Sequence, residues 1–350
     1  MSNPEDLVLK PKTVKNADLS AYNTLGVEAT ADILINIREV DDIFYLIKQG
    51  FFENSKPIIL GEGSNILFKK DISDPILKMS ISGIKTLEEN KESVIVEAGA
   101  GENWHRFVSW AVEKDLGGIE NLALIPGTVG AAPIQNIGAY GVELSSIVEF
   151  VEFVDISSGK LIRYSPEECK FGYRDSIFKR DLKEQAIVTK LGVRLTKSNH
   201  NIKDHYKSLN SYLQEKSIIT PSIKDIYDAV ISIRTSKLPD PKLLGNAGSF
   251  FKNPIVDIKT AKKLHSAYKN VPVYPVDDQH KKIPAGWLIE MAGWKGKKVG
   301  NVGTYENQAL VIVNHGGATG EDIYEHAMKI RASVKKKFAI ELAPEVNILG

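Results

Sequence analysis

Between Arg234 and Pro254 the chain reads Arg-Thr-Ser-Lys-Leu-Pro-Asp-Pro-Lys-Leu-Leu-Gly-Asn-Ala-Gly-Ser-Phe-Phe-Lys-Asn-Pro, and few folds can absorb such a stretch. Pro239 and Pro241 fix their own backbone and push the residues before them toward extended conformations, so no helix runs through. Gly245 and Gly248 allow angles that other residues avoid. The segment is too rigid for a linker and too polar for a core. It is suited to displaying one hydroxyl, Ser249, among the cations Arg234, Lys237 and Lys252, a setting for an anionic ligand.

The rest of the chain supports a large folded protein around that loop. Its 350 residues, 43% hydrophobic and 25% charged, suffice for two or three domains with a sizeable core. Forty-five basic residues against 44 acidic ones leave a net charge of +1, which gives no electrostatic footprint for nucleic acid, so any anion is met locally. A single cysteine, Cys169, excludes an internal disulfide and fits a reducing cytoplasm; no Cys-x-x-Cys or His-Glu-x-x-His pattern suggests a metal. The start, Met-Ser-Asn-Pro-Glu-Asp, lacks the basic and apolar regions of a signal peptide, and no apolar run approaches the length of a membrane span. A soluble cytoplasmic protein is expected.

Strand and helix signals alternate in the first half. Ala31–Ile37, Pro57–Leu60, Ser93–Ala98, Val148–Ile156 and Ala186–Leu195 read as strands; Val40–Gln49, closed by Gly50, and Trp104–Val112 read as amphipathic helices. This alternation predicts an α/β architecture. The polar stretch Lys197–Lys207 breaks it and marks a domain boundary. Beyond it, Thr220-Pro221 predicts the start of a helix with Ile223, Ile226, Tyr227, Val230 and Ile233 on one face, delivering Arg234 and Lys237 to the loop. Thr319-Gly-Glu-Asp322 predicts a second helix with Ile323, Ala327, Ile330, Val334 and Phe338 buried.

Two glycine-rich loops fall in the first half. Gly61-Glu-Gly63-Ser64-Asn65 follows the strand ending at Leu60, where exposed backbone N–H groups can cradle a phosphate. It lacks the third glycine of the Rossmann fingerprint. The longer run from Gly117 to Gly141, containing Gly127-Thr128-Val129-Gly130 and Gln135-Asn136-Ile137-Gly138-Ala139, has little that demands a core and can wrap an extended ligand through its backbone.

Taken in order, Gly-x-Gly-Ser-Asn, the run Glu120–Gly141, Tyr173-Arg174-Asp175-Ser176, Gly-Asn-Ala-Gly-Ser-Phe-Phe-Lys-Asn-Pro and Pro344-Glu345-Val346 resemble the UDP-N-acetylenolpyruvoylglucosamine reductase (MurB) family over most of the chain. Ala-Ala-Pro-Ile-Gln-Asn-Ile and an insertion around Tyr206 resemble its type I branch. The resemblance implies an α+β / α/β fold: a p-cresol methylhydroxylase-type two-part FAD-binding domain over 1–195, with subdomains at approximately 20–90 and 91–195, an insertion at 196–219, and a substrate-binding α/β domain at 220–350 whose carboxyl terminus returns toward the flavin. A substrate cleft is expected between domains.

By that resemblance the protein binds FAD non-covalently and uses NADPH to reduce enolpyruvyl-UDP-N-acetylglucosamine to UDP-N-acetylmuramate, as a cytoplasmic monomer in peptidoglycan synthesis. No membrane, nucleic-acid or metal partner is implied. Gly61, Gly63, Ser64, Asn65, Gly127, Thr128, Gly130, Gln135, Asn136, Gly138 and Ala139 would bind the cofactor, their backbone donors meeting the pyrophosphate. His105 is assigned to a helix surface. Ser249 would donate the proton, with Arg174 and Glu345 flanking the enolpyruvyl group; Arg234, Lys237, Asn253, Lys282 and a tyrosine of the insertion, Tyr206 with Tyr212 as rival, would hold the UDP-sugar. Asn347 stands where relatives often carry arginine. Two other functions compete: an alcohol oxidase of the same FAD fold, and a UDP-sugar-binding protein without catalysis.

Overall fold

The computed structural model describes residues 10–350; the segment Met1–Asp6, read above for a leader, lies outside them. The described chain divides into two units. The first holds the residues up to Ala17 together with Ala31–Glu62 and Ser73–Arg234, and the second holds Asp18–Thr30, Gly63–Ile72 and Thr235–Gly350.

In the first unit, β-branched runs build two sheets. Lys12–Asp18, Thr30–Ile37, Ile76–Met79 and Ile58–Leu60 lie in that order, the last three parallel. Helix Val40–Lys48 covers one face, burying Ile43 and Leu46 against Ile35, Ile37, Leu77 and Met79. A reciprocal Glu39/Asp42 cap starts this helix, and Gly50, at φ 67°, follows it as expected. The second sheet runs Lys160–Tyr164, Val148–Asp155, Ala186–Thr196, Ser93–Gly99, Ile84–Glu89, antiparallel throughout. Within this unit's two sheets parallel pairing is thus confined to the first, and the unit combines α/β with α+β construction. Helix Trp104–Glu113 buries Trp104, Phe107, Val108 and Ala111.

The polar stretch after Thr196 leads into a helix, Lys207–Glu215, whose Leu209 and Leu213 enter the same apolar cluster as Leu191, Val193, Ile226, Val230 and Ile233. Burial of that stripe carries the unit on to Arg234. The helix that ends at Lys237 begins at Ile223, not at Thr220-Pro221. Its first turn is capped by Ser222, whose hydroxyl accepts from the Asp225 N–H while the Asp225 carboxylate accepts from the Ser222 N–H.

In the second unit, Gly245–Ser249, Val311–Asn314, Val302–Thr304 and Lys298–Val299 form an antiparallel sheet in that order. Helix Gly320–Phe338 packs Ile323, Ala327, Ile330 and Val334 into the core and opens on the expected Thr319/Asp322 capping box. The strand Ile66–Phe68 pairs in parallel with Asn347–Leu349, so the residues after the first glycine loop lie beside the end of the chain.

Candidate active site

In the second unit, the backbone itself displays Ser249. The pairing of Gly245–Ser249 with Val311–Asn314 slips between Asn246 and Ser249, with Gly248 at φ 66°. This bulge turns the Ser249 side chain outward, and the residue is exposed. Asn246 holds the bulge. Its Nδ2 donates to Pro239 O at 3.1 Å and Leu244 O at 2.9 Å, and its Oδ1 accepts from Gly248 N at 3.0 Å. The stiffness of the Leu-Pro-Asp-Pro segment is thereby passed to Ser249. Asn246 was not among the residues expected in the site; its buried amide becomes recognisable only once its three partners are brought together.

Glu345 arrives beside Ser249 through main-chain pairing. Its N–H donates to Phe250 O at 2.8 Å, and Lys252 N donates to Ala343 O at 2.9 Å. Asn65 joins the same segment: its Nδ2 donates to Glu345 O at 3.2 Å, and its own carbonyl accepts from Asn347 N at 3.0 Å and Asn347 Nδ2 at 3.1 Å. Asn347 therefore clamps the glycine loop. Asn253 is partly committed to structure, its Oδ1 accepting from Ala285 N at the start of helix Ala285–Met291. Lys282 stands opposite Ile255 in a small antiparallel sheet, and Lys237 ends its helix exposed.

Arg174 belongs to the first unit. It occupies the left-handed region at φ 54° within a tight turn in which Gly172 and Asp175 exchange backbone hydrogen bonds. Such strain in a non-glycine residue persists only where surroundings enforce it. Asn136 does so: its Nδ2 donates to Gly172 O and to Glu143, while its Oδ1 accepts from Ser145 N. The side chain proposed for cofactor contact is thus spent on the Arg174 turn. The guanidinium reaches back to Gly138 O at 3.0 Å. Ser176 completes the latch by donating to Ile134 O at 2.7 Å.

Arg234 carries a different environment. Its guanidinium is enclosed, burial works against its charge, and the Tyr140 hydroxyl is its compensating partner, while Nε is buried without any. His105 lies close by and is no helix-surface residue. It is half-buried, its Nδ1 accepts from Leu124 N at 3.1 Å, and its ring stacks on Tyr227; burial first, then Arg234, lowers its pKa. Tyr206 is 51% exposed and meets the Tyr140 ring edge-on at 5.4 Å, whereas Tyr212 packs against the apolar cluster. Cys169 is buried with its thiol pushed up to about 12, mainly by burial, which disqualifies it as a nucleophile.

The glycine loops fit an extended dinucleotide, though by different means. The backbone N–H groups of Glu62, Gly63 and Ser64 make no hydrogen bond within the described residues, which leaves consecutive donors for a pyrophosphate. A Cβ on Gly61 would lie 2.7 Å from Thr128 Oγ1, and one on Gly63 would overlap the Tyr22 carbonyl oxygen. The longer loop instead has these donors already engaged: Val129 N and Gly130 N donate to Glu102 O and Ala100 O, Ala131 N and Ala132 N to carbonyls of the loop itself, and Gly127 N to Glu62. Its short 3₁₀ turns and its packing on residues 62, 100 and 102 consume groups that the sequence offered to phosphate, so this loop supplies shape. Among the described residues no cluster of three or more His, Cys, Asp or Glu could hold a metal, and no helix is long and apolar enough to cross a membrane.

Comparison with known proteins agrees with these features. An FAD binding domain family model matches residues 31–165, and a model of the UDP-N-acetylenolpyruvoylglucosamine reductase C-terminal domain matches residues 240–349. Proteins named UDP-N-acetylenolpyruvoylglucosamine reductase are 46% identical in Amoebophilus asiaticus, over 96% of this chain and 98% of theirs, and 42% identical in Flavobacterium johnsoniae, over 95% and 98%. The relative from Pseudomonas aeruginosa is 41% identical over 95% and 98%. The crystal structure of the Thermus caldophilus reductase shares the fold, with a TM-score of 0.65 at 24% identity over 97% of this chain and 99% of that one. The chain is a flavoprotein oxidoreductase with an FAD-binding domain. It belongs to the UDP-N-acetylenolpyruvoylglucosamine reductase family.

Proposed function

We infer that the protein reduces the enolpyruvyl ether of UDP-N-acetylglucosamine to the lactyl ether of UDP-N-acetylmuramate, with NADPH as reductant. The carrying observation is Ser249, held outward on a glycine bulge with Glu345 hydrogen-bonded to the next residue, in a chain that matches these reductases almost end to end.

FAD, held by the loop Gly61–Asn65, would supply the chemistry of hydride transfer from NADPH to the terminal methylene carbon of the substrate. The chain's own residues manage the charge and the proton. Hydride addition leaves an electron pair on the adjacent carbon, delocalised into the carboxylate as an enolate, and Arg174 offers that developing charge a guanidinium already oriented by its strained turn. Ser249 delivers the proton to carbon. A serine hydroxyl is a poor acid in water, but against a strongly basic carbon, with cations nearby, the transfer is downhill. Glu345 acts on the same carbon's environment from the segment paired with Phe250. Lys237, Asn253, Lys282, Arg234 and Tyr206 bind the UDP-sugar, with Tyr206 favoured over Tyr212 by its exposure. Gly61, Gly63, Ser64 and Asn65 hold the cofactor pyrophosphate; Gly127, Thr128, Gly130, Gln135, Asn136, Gly138 and Ala139 shape its surroundings. The enzyme acts as a cytoplasmic monomer, which sedimentation of the holoenzyme tests.

Stopped-flow absorbance separates the two half-reactions. Ser249→Ala is expected to keep flavin reduction by NADPH near wild type while reoxidation by the enolpyruvyl substrate falls about 10²–10⁴-fold. Equal slowing of both steps would remove Ser249 from the donor role.

A further inference from the structure

The first sheet carries a polar pair that neither the fold nor the roles above account for. Asn36 and Lys78 are register partners on parallel strands, and Lys78 is also paired with Leu60, the residue before Gly61. Their neighbours Ile35, Ile37, Leu77 and Met79 face the apolar cluster under helix Val40–Lys48. Strand alternation therefore puts Asn36 and Lys78 together on the opposite face. They stand at the carboxyl ends of parallel strands, directly beside the turn into the glycine loop, where open α/β sheets take ligands.

Asn36 lacks a donor for its amide oxygen, and Lys78 has only a shared partner. Asn36 Oδ1 is buried and accepts no hydrogen bond. The Lys78 ammonium donates to the carbonyl of its own neighbour, Met79, at 3.2 Å, and burial lowers its pKa despite attraction from Glu62. That carboxylate is itself engaged, accepting from Asn103 Nδ2 at 2.7 Å and from Gly127 N at 3.2 Å. A buried acceptor and a half-buried cation left this way cost stability unless a ligand supplies a donor and an anion. A ribose-phosphate supplies both. Its phosphate oxygens suit the ammonium, and its hydroxyls suit the amide oxygen.

We propose that Asn36 and Lys78 form a subsite for the nucleotide half of the bound dinucleotide, Lys78 meeting a phosphate and Asn36 Oδ1 accepting from a ribose hydroxyl. The proposal rests on the FAD-binding reading of this chain and adds two residues outside the glycine loops.

The test uses the full-length apoprotein, titrated with FAD and separately with riboflavin, following flavin fluorescence at several salt concentrations. Lys78→Met should weaken FAD about 10–50-fold and flatten its salt dependence, while riboflavin affinity stays within about twofold. Lys78→Arg should recover most of the FAD affinity. Asn36→Ala should weaken FAD about 3–10-fold without changing the salt slope. FAD affinity within about twofold of wild type in both Lys78→Met and Asn36→Ala overturns the subsite, as does equal loss of FAD and riboflavin, which marks mere structural damage. Failure of the wild-type chain to bind either flavin instead sinks the flavoprotein reading, and this inference falls with it.

Discussion

Replacing Asn246 with alanine tests whether the rigidity of the Ser249 loop is the property that catalysis uses. The change deletes three hydrogen bonds, to Pro239 O, Leu244 O and Gly248 N, from a side chain that is 6% exposed. Each is worth about 1 kcal/mol net, and a stranded buried partner adds to the loss, so about 3–4 kcal/mol of stability should go. For a unit of this size that is a fall of roughly 6–16 °C in Tm. The Gly248 bulge would then relax, and a displacement of Ser249 by about 1 Å should slow flavin reoxidation by substrate about 10²-fold. Reduction by NADPH should change little. Calorimetry gives the first quantity and stopped-flow absorbance the second. Asn246→Asp sharpens the result, because it keeps an acceptor for Gly248 N but sets a buried carboxylate against two carbonyls; it should be at least as destabilising. An Asn246→Ala enzyme with Tm within about 1 °C and reoxidation within about threefold of wild type would refute the argument.

Other expectations follow from single geometries. Gly63→Ala drives a Cβ into the Tyr22 carbonyl, at a position with φ 67°, and should cost well over about 2 kcal/mol and strip the purified protein of flavin. Gly248→Ala, at φ 66° but with open space around it, should cost only about 1 kcal/mol, and comparable losses in the two variants by denaturant unfolding would contradict this. His326 is 3% exposed beside Thr304 and Trp294, and its pKa is pushed down to about 4, mainly by burial with Lys329 and Lys297 assisting. Its folded value lies below the ordinary 6.5, so stability is full above about pH 6.5 and declines as pH falls toward 4, by at most about 3 kcal/mol. Guanidinium unfolding of wild type and His326→Gln across that window should show the larger loss in wild type, the difference being the histidine's share. Arg174→Lys keeps a charge but cannot reproduce the guanidinium's contact with Gly138 O, and should lower kcat about 10²-fold at unchanged flavin content.

Local pattern determined much of this protein. Glycine after a helix, a Thr-x-x-Asp cap and apolar residues at periods of about two and 3.6 are decided by neighbours a few residues apart, so Gly50, Thr319 and the strand at Ser93–Gly99 were legible in the chain. The backbone freedom of Gly248 before Ser249 was legible for the same reason, whereas the strand and bulge that use it were not. Tertiary structure decided what depends on partners far along the sequence. Nothing local announces that residues 18–30 and 63–72 pack with the carboxyl-terminal half, since that follows from Ile66–Phe68 pairing with Asn347–Leu349. Nor does a serine after Pro221 announce a cap, or a histidine on an amphipathic helix its acceptance of the Leu124 N–H. The long glycine loop shows the limit most clearly. Its composition offered free backbone donors, yet whether an N–H is free depends on which carbonyls the fold brings to it, and the fold brought Glu102 O to Val129 and Ala100 O to Gly130.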